Sequence, residues 1–285
     1  LLFITLILNL SIFADYSIHK DSEKLIDELV MKHGFEKSYV LEVLKDAKKR
    51  RTALHSVAKP AEKTKTWDDY KAIFLKNKRI VDGKKFIKKN INTLERAEKE
   101  FGVPKEIITA ILGVETNFGN NMGSYRVIDS LTTLGFDDPR RSKFFRSELI
   151  QLFILTRENN LDILKIKGSY AGAMGYSQFI SSSYRAYAID YDGDGYVDLF
   201  NSIDDAIGSI ANYLKRHGWK KEGKIVVQTF PNNVRKFYKP HKSLTQFIPL
   251  TFNENGEDLH FIGDDNFRAI ARYNISDVYA MAVYY

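Results

Sequence analysis

VPKEIITAILGVETNFG, residues 103–119, is the stretch on which the fold turns. Pro104 stands where a first-turn proline is tolerated and Gly119 where helices commonly stop. Between them Ile107, Ile108, Ile111, Leu112 and Val114 leave little room for a solvated face, so the spacing predicts a largely buried helix. Glu115 breaks that pattern. Steps of seven from Ile108 and four from Ile111 put it on the apolar face, in the last turn. A carboxyl there is expected to be desolvated and to sit at the negative end of the helix, and both effects favour its protonated form. That is the setting of a general acid. The residues alone also allow a plainer reading, a glutamate paired with an arginine such as Arg140 or Arg141.

Two segments downstream carry further chemistry. In KGSYAGAMGYSQF, residues 167–179, Gly168, Gly172 and Gly175 with Ala171 and Ala173 remove side-chain bulk, while Ser169, Tyr170, Tyr176 and Gln178 offer uncharged hydrogen-bonding groups. Such a run suits close approach of backbone to an extended ligand, or simply a tight internal contact. It fits neither a phosphate loop nor a dinucleotide fingerprint, because no Gly-Lys-Ser/Thr follows and the glycine spacing is wrong. In DYDGDGYVDLFNSIDDA, Asp190, Asp192 and Asp194 fall at positions 1, 3 and 5 of a calcium loop, Gly195 at the sharp turn, Tyr196 at the carbonyl position and Asp198 at position 9. Position 12 is Asn201, so the bidentate acid must come later, from Asp205 or Asp204. Clustered aspartates repel unless a cation joins them, which favours Ca²⁺ over an acidic surface loop.

Outward from this centre the chain reads as mostly helical. Helices are expected at 22–34, with Leu25, Ile26, Leu29 and Val30 on one face, at 38–51, and from Trp67 toward Leu75 after a polar connector at 59–66. A long basic segment at 77–100 is expected to turn Ile80, Val81, Phe86, Ile87, Ile91 and Leu94 inward. Toward the C-terminus, 224–230 and 247–252 are β-branched and aromatic, with turn signals at Pro231-Asn232-Asn233 and Asn253–Gly256, which predicts a small β-containing insertion. A helical end, 265–285, follows with Phe267, Ile270 and Ala271 on one face.

The composition narrows the classes. The chain has 285 residues, 43 Lys and Arg against 36 Asp and Glu, and 44% hydrophobic residues, which excludes disorder. It has no cysteine, hence no disulfide framework, thiolate metal site, thiol nucleophile or lipid-bearing cysteine. Residues 1–14 open on an apolar run too short for a comfortable membrane span and read as a secretory signal lacking its basic start, or as an uncleaved anchor. The net charge of +7 suits an acidic polymer; no zinc-finger, RNA-recognition or basic-zipper signature supports nucleic acid.

These motifs, in this order, resemble the B family of lytic murein transglycosylases. The resemblance rests on 103–119 with Glu115, on Pro139-Arg140-Arg141, on the 168–179 segment, on the acidic loop and on SIANYLKRHGW ending at Trp219. Upstream, Trp67-Asp68-Asp69-Tyr70 is similar to the family's aromatic segment. Downstream, Arg272-Tyr273-Asn274-Ile275-Ser276 with Tyr279-Ala280-Met281-Ala282-Val283 is similar to its C-terminal signature.

The resemblance implies a mainly α, lysozyme-like (α+β) fold: a helical region at 15–100, a catalytic core at 101–221 with an EF-hand-like loop at 190–205, a β-containing insertion at 222–263, and a helical segment at 264–285 completing the core. It implies cleavage of peptidoglycan with a 1,6-anhydro product and Glu115 as sole acid and base. Tyr70, Arg140, Arg141, Ser169, Gln178, Tyr213 and Tyr273 would line the cleft. Asp190, Asp192, Asp194, the Tyr196 carbonyl and Asp205, with Asp204 as alternative, would hold a structural Ca²⁺, and no organic cofactor is expected. The expected setting is the periplasm, the partners glycan strands and other cell-wall enzymes, and the state monomeric. A non-catalytic glycan-binding protein of the same fold is the competing reading.

Overall fold

The computed structural model describes residues 15–58, 65–231 and 247–285. The apolar leader at 1–14, most of the 59–66 connector and the Asn232-Asn233 turn lie outside them. A 3-10 turn at Tyr16–Ile18 leads into α1 (Ser22–Met31), α2 (Lys37–Asp46) and α3 (Arg51–Ala58). Helix α1 ends as the sequence suggests: Gly34 takes a φ of 66°, and the amides of Gly34 and Phe35 return to the carbonyls of Val30 and Leu29. The helix expected at 38–51 is instead two, because side chains of a later helix capture the backbone between them. Lys48 N donates to Asp129 Oδ1 at 2.9 Å and Arg50 N to Thr133 Oγ1 at 2.9 Å.

Helix α4 (Trp67–Phe74) begins with a Thr66–Asp69 capping box. The basic segment then divides into α5 (Asn77–Lys89) and α6 (Ile91–Phe101), parted at Asn90, whose side chain donates to the Phe86 carbonyl at 3.0 Å. The break overturns part of the expected face. Leu94 is buried, but Ile80 and Val81 are about half exposed, at 47% and 49%. The reason is Gly83: α5 approaches α7 (Lys105–Thr116) on its glycine side, where the Phe118 ring lies against Gly83 and Gly113 and stacks on Phe86. Helix α7 is the hub, packed by α5, α6 and two helices from the far end of the chain.

Strand β1 (Tyr125–Arg126), helices α8 (Val127–Asp137) and α9 (Ser142–Glu158), and strand β2 (Lys167–Gly168) follow. The β1–β2 ribbon, unread in the sequence, fixes the start of the glycine-rich segment by pairing Tyr125 with Gly168. Then come α10 (Ser181–Tyr187) and α11 (Ile203–Arg216). The described residues of the insertion form a three-stranded antiparallel sheet of β3 (Val226–Thr229), β4 (Ile248–Glu254) and β5 (Glu257–Gly263), with β5 central. Strand β5 escapes sequence reading because it opens on exposed Glu257 and Asp258; what makes it is the two-residue turn Asn255-Gly256, both at positive φ, which closes a tight hairpin. Trp67 of α4 meets Phe252 at 5.4 Å and seats the sheet on the helices. The C-terminal stretch is not one helix: α12 (Asp265–Asn274) and α13 (Asp277–Tyr284) are parted by Ile275 at a φ of 47°. One buried apolar cluster runs from Tyr16 to Val283.

Candidate functional site

The end of α7 is strained. After Glu115 and Thr116, both Asn117 (φ 50°) and Phe118 (φ 59°) adopt the left-handed conformation, which non-glycine residues seldom hold unless their surroundings impose it. Here the anchors are the Phe118 ring in its glycine-lined groove and the Thr116 hydroxyl, which accepts from Gly119 N at 2.9 Å and lies 3.2 Å from the Tyr176 carbonyl. The helix thus stops at Thr116, earlier than Gly119 suggested, and Glu115 stands in the final turn.

The half-buried Glu115 meets α13. Tyr279 is fully enclosed, and its hydroxyl donates to Glu115 Oε1 at 2.7 Å. Burial, first, and then the Glu115 charge hold the Tyr279 phenol well above its usual pKa, with Tyr273 and Tyr70 adding to the effect. The Tyr273 phenol is raised likewise by burial and then by Glu115. Both are therefore neutral donors at working pH. The Tyr273 ring lies parallel to that of Tyr279 at 6.2 Å and meets Tyr213 at 4.8 Å, while its hydroxyl donates to the Ser177 carbonyl at 2.8 Å. Tyr70, buried on α4, completes this aromatic surround and packs on Phe74 at 4.6 Å.

The glycine-rich segment is tied to this enclosure through the Tyr176 carbonyl, which Thr116 meets, and the Ser177 carbonyl, which Tyr273 meets. Its three glycines serve the protein's own packing: a Cβ would lie 2.2 Å from Ala173 O at Gly168, 2.5 Å from Leu131 at Gly172 and 2.3 Å from Leu199 O at Gly175. The tight internal contact is the reading that holds for them. Ser169 Oγ accepts from the amides of Ala173 (3.0 Å) and Ala171 (3.3 Å), which leaves its hydrogen to point elsewhere. Gln178 Nε2 donates to the carbonyls of Gly175 (2.9 Å) and Met122 (3.2 Å), leaving Oε1 as an acceptor.

The chain matches the family model described as Transglycosylase SLT domain over residues 17–285. It belongs to that family. It is 37% identical to the membrane-bound lytic murein transglycosylase B of Escherichia coli (strain K12), over 95% of this chain and 82% of the relative. Among solved structures it is similar to the soluble lytic transglycosylase SltB1 of Pseudomonas aeruginosa, 40% identical with a TM-score of 0.84 over 92% of this chain and 95% of that one. The Escherichia coli lytic transglycosylase Slt35, solved in complex with calcium, is 35% identical with a TM-score of 0.84 over 95% and 92%.

Set among these transglycosylases, the structure gathers Tyr70, Tyr273 and Tyr279 about Glu115, with Tyr213 packed against Tyr273. Arg140 and Arg141 are exposed and lie past the far end of α8, a helix about 16 Å long, from the β1–β2 ribbon. Arg141 is spread over the rings of Phe144 and Phe145, at 4.5 and 5.1 Å. Sequence reasoning assigned no role to Tyr279. The available signal was a hydroxyl-bearing ring heading the otherwise apolar run Tyr279–Val283, because a buried phenol needs a hydrogen-bond partner.

The acidic loop holds its oxygens ready for a hard cation. Carboxylate oxygens of Asp190, Asp192 and Asp194 lie within 4.8 Å of one another. Gly193 and Gly195 donate to Asp190, and Tyr196 N donates to Asp194 at 2.8 Å, so the loop backbone orients the acids. A set of three carboxylates around positive-φ glycines fits Ca²⁺ chemistry. Asp205 stands outside that set. Fully buried, it accepts from Tyr191 N (2.7 Å), Asp192 N (3.3 Å) and Asp198 N (2.7 Å), and burial pushes its pKa up despite these bonds. Asp204 accepts instead from Thr93 at 2.6 Å. Neither expected closing ligand joins the cluster, since each carboxylate is engaged elsewhere.

Proposed function

We propose that the chain is a peptidoglycan lytic transglycosylase in which Glu115 acts alone as acid and then base. The observation that carries this reading is the Tyr279 hydroxyl held 2.7 Å from one oxygen of Glu115 inside a tyrosine-lined enclosure. With Oε1 accepting from Tyr279, the proton of the neutral carboxyl belongs on Oε2. That oxygen donates it to the glycosidic oxygen as the bond from muramic acid C1 breaks. The resulting carboxylate, stabilised by Tyr279, takes the proton from the sugar's own C6 hydroxyl as its oxygen bonds to C1. The product is a 1,6-anhydro sugar, and no water is consumed, so this route needs no second carboxylate of the kind hydrolases use. Ser169, Gln178 and the rings of Tyr70, Tyr213 and Tyr273 position the strand. Peptidoglycan digested by the protein should yield anhydro-muropeptides by mass spectrometry, and Glu115→Gln should yield none; reducing-end products would overturn the single-carboxyl route.

Asp190, Asp192, Asp194 and the Tyr196 carbonyl are the groups that would hold Ca²⁺, which would neutralise their mutual repulsion and tie the loop to the start of α11. The ion's role is structural: chelation should lower the melting temperature while leaving the anhydro product unchanged, and an unchanged melting temperature would refute it. No helix among the described residues is long and apolar enough to cross a membrane. With its basic charge and wall-polymer substrate, the chain is proposed to act in the periplasm.

A further inference from the structure

Tyr213 stands between the Glu115 enclosure and a second space. Its ring meets Tyr273 edge-on and lies nearly parallel to His217 at 3.9 Å. Beyond it is a cavity of about 390 Å³ lined by Tyr213, His217, Arg268, Arg272, Ile275 and Asp277. The Arg272 guanidinium makes no hydrogen bond or ion pair to another described residue, although its carbonyl is pinned by the Tyr213 hydroxyl at 3.0 Å. His217 Nδ1 lies 2.7 Å from the Tyr213 carbonyl, which can only accept, so Nδ1 carries the hydrogen and Nε2 is left for a ligand. At the lip Ile275, a β-branched residue, is held at a φ of 47° with its side chain 91% exposed, a combination of strain and exposed apolar surface that folding alone does not favour.

A neutral sugar gives the Arg272 guanidinium nothing to answer; planar carboxylates are what such a fork grips. The space is larger than one carboxylate needs and lies three rings from Glu115, through Tyr279, Tyr273 and Tyr213. A group reaching it must project from the glycan as an arm. We infer that this pocket seats the peptide substituent of the substrate strand, with Arg268 and Arg272 gripping a peptide carboxylate, Ile275 and Tyr213 covering its aliphatic part, and Asp277 at the rim for an ammonium.

This inference rests on the lytic reading for its substrate, so the test has one arm that does not need turnover. In that arm the free stem tetrapeptide is titrated into the full protein by calorimetry. The wild type should bind it, the double variant Arg268→Ala/Arg272→Ala should weaken binding about tenfold or more, and Arg268→Lys/Arg272→Lys should recover part, which also shows that the site folds without the forks. Wild type that does not bind, or binding equal in all three, overturns the pocket whatever the protein cleaves. In the second arm kcat/KM is compared on peptide-bearing strands and on strands stripped by an amidase, which expose the lactyl carboxylate instead. The preference for peptide-bearing strands should fall about tenfold in the alanine variant, mainly through KM. An equal loss on both substrates would assign the grip to the lactyl group and overturn the peptide assignment. Failure of the wild type to make anhydro products would sink the lytic reading while leaving the titration to decide the pocket.

Discussion

The two acidic regions of this molecule manage carboxylates in opposite ways. Glu115 is set in an aromatic enclosure, with the neutral phenol of Tyr279 on one of its oxygens. Asp190, Asp192 and Asp194 face solvent at least in part and are oriented by loop amides, while Asp205 behind them is buried and bound by three amides. A phenol donor leaves a carboxyl free to pass between protonated and ionised forms. Amide donors fix the ionised form in place and prepare it for a cation. Position in a helix or loop matters less to these acids than the kind of donor that meets them.

That contrast breaks first at Glu115. Glu115→Gln can still accept from Tyr279, so the melting temperature should hold while turnover falls about 10² to 10⁴-fold, the range for loss of an acid–base group; comparable activity would erase the distinction between the regions. Next is Asp205→Ala, which orphans the amides of Tyr191, Asp192 and Asp198 and should cost about 2–4 kcal/mol in denaturant unfolding, with or without calcium. If the loss vanishes in chelator, Asp205 is a metal ligand after all. Tyr279→Phe removes one hydrogen bond to the reacting group and should lower kcat about tenfold with KM little changed.

The smallest effect is in pH. Because the folded phenols of Tyr273 and Tyr279 are raised, their contribution to stability is complete below about pH 10, where unfolded tyrosine begins to ionise, and is lost as pH climbs toward the folded values. The melting temperature should fall between about pH 10 and 11, and less steeply in Tyr279→Phe. An identical slope in both proteins would mean that other groups govern the alkaline limb.

Much of this contrast is legible in the sequence. Seven-step periodicity alone put Glu115 on the apolar face, and the Asp-x-Asp-x-Asp-Gly spacing alone picked out the acids that cluster. What escaped depended on partners distant in sequence. Asp129 and Thr133 split a helix that local periodicity had joined, Gly83 chose which side of α5 is buried, and Asp205 was claimed by amides that no spacing rule foresees. Strand β5 hid behind two charged residues until its register with β4 exposed the hairpin. The arginine motif depends on its neighbours too: Asp138 accepts from the amides of Arg140 and Arg141, and the Phe144 and Phe145 rings support the Arg141 guanidinium.

The hydrogen bond between Tyr279 and Glu115 joins residues 164 positions apart, and the phenol lies on α13. Chains are made and delivered from the N-terminus, so helix α7 exists long before α13 does. Glu115 therefore lacks the Tyr279 phenol, and a closed aromatic enclosure, until α13 docks. Docking of α13 is thus the step that completes the carboxyl's surroundings, and a copy clipped before that helix keeps Glu115 without them.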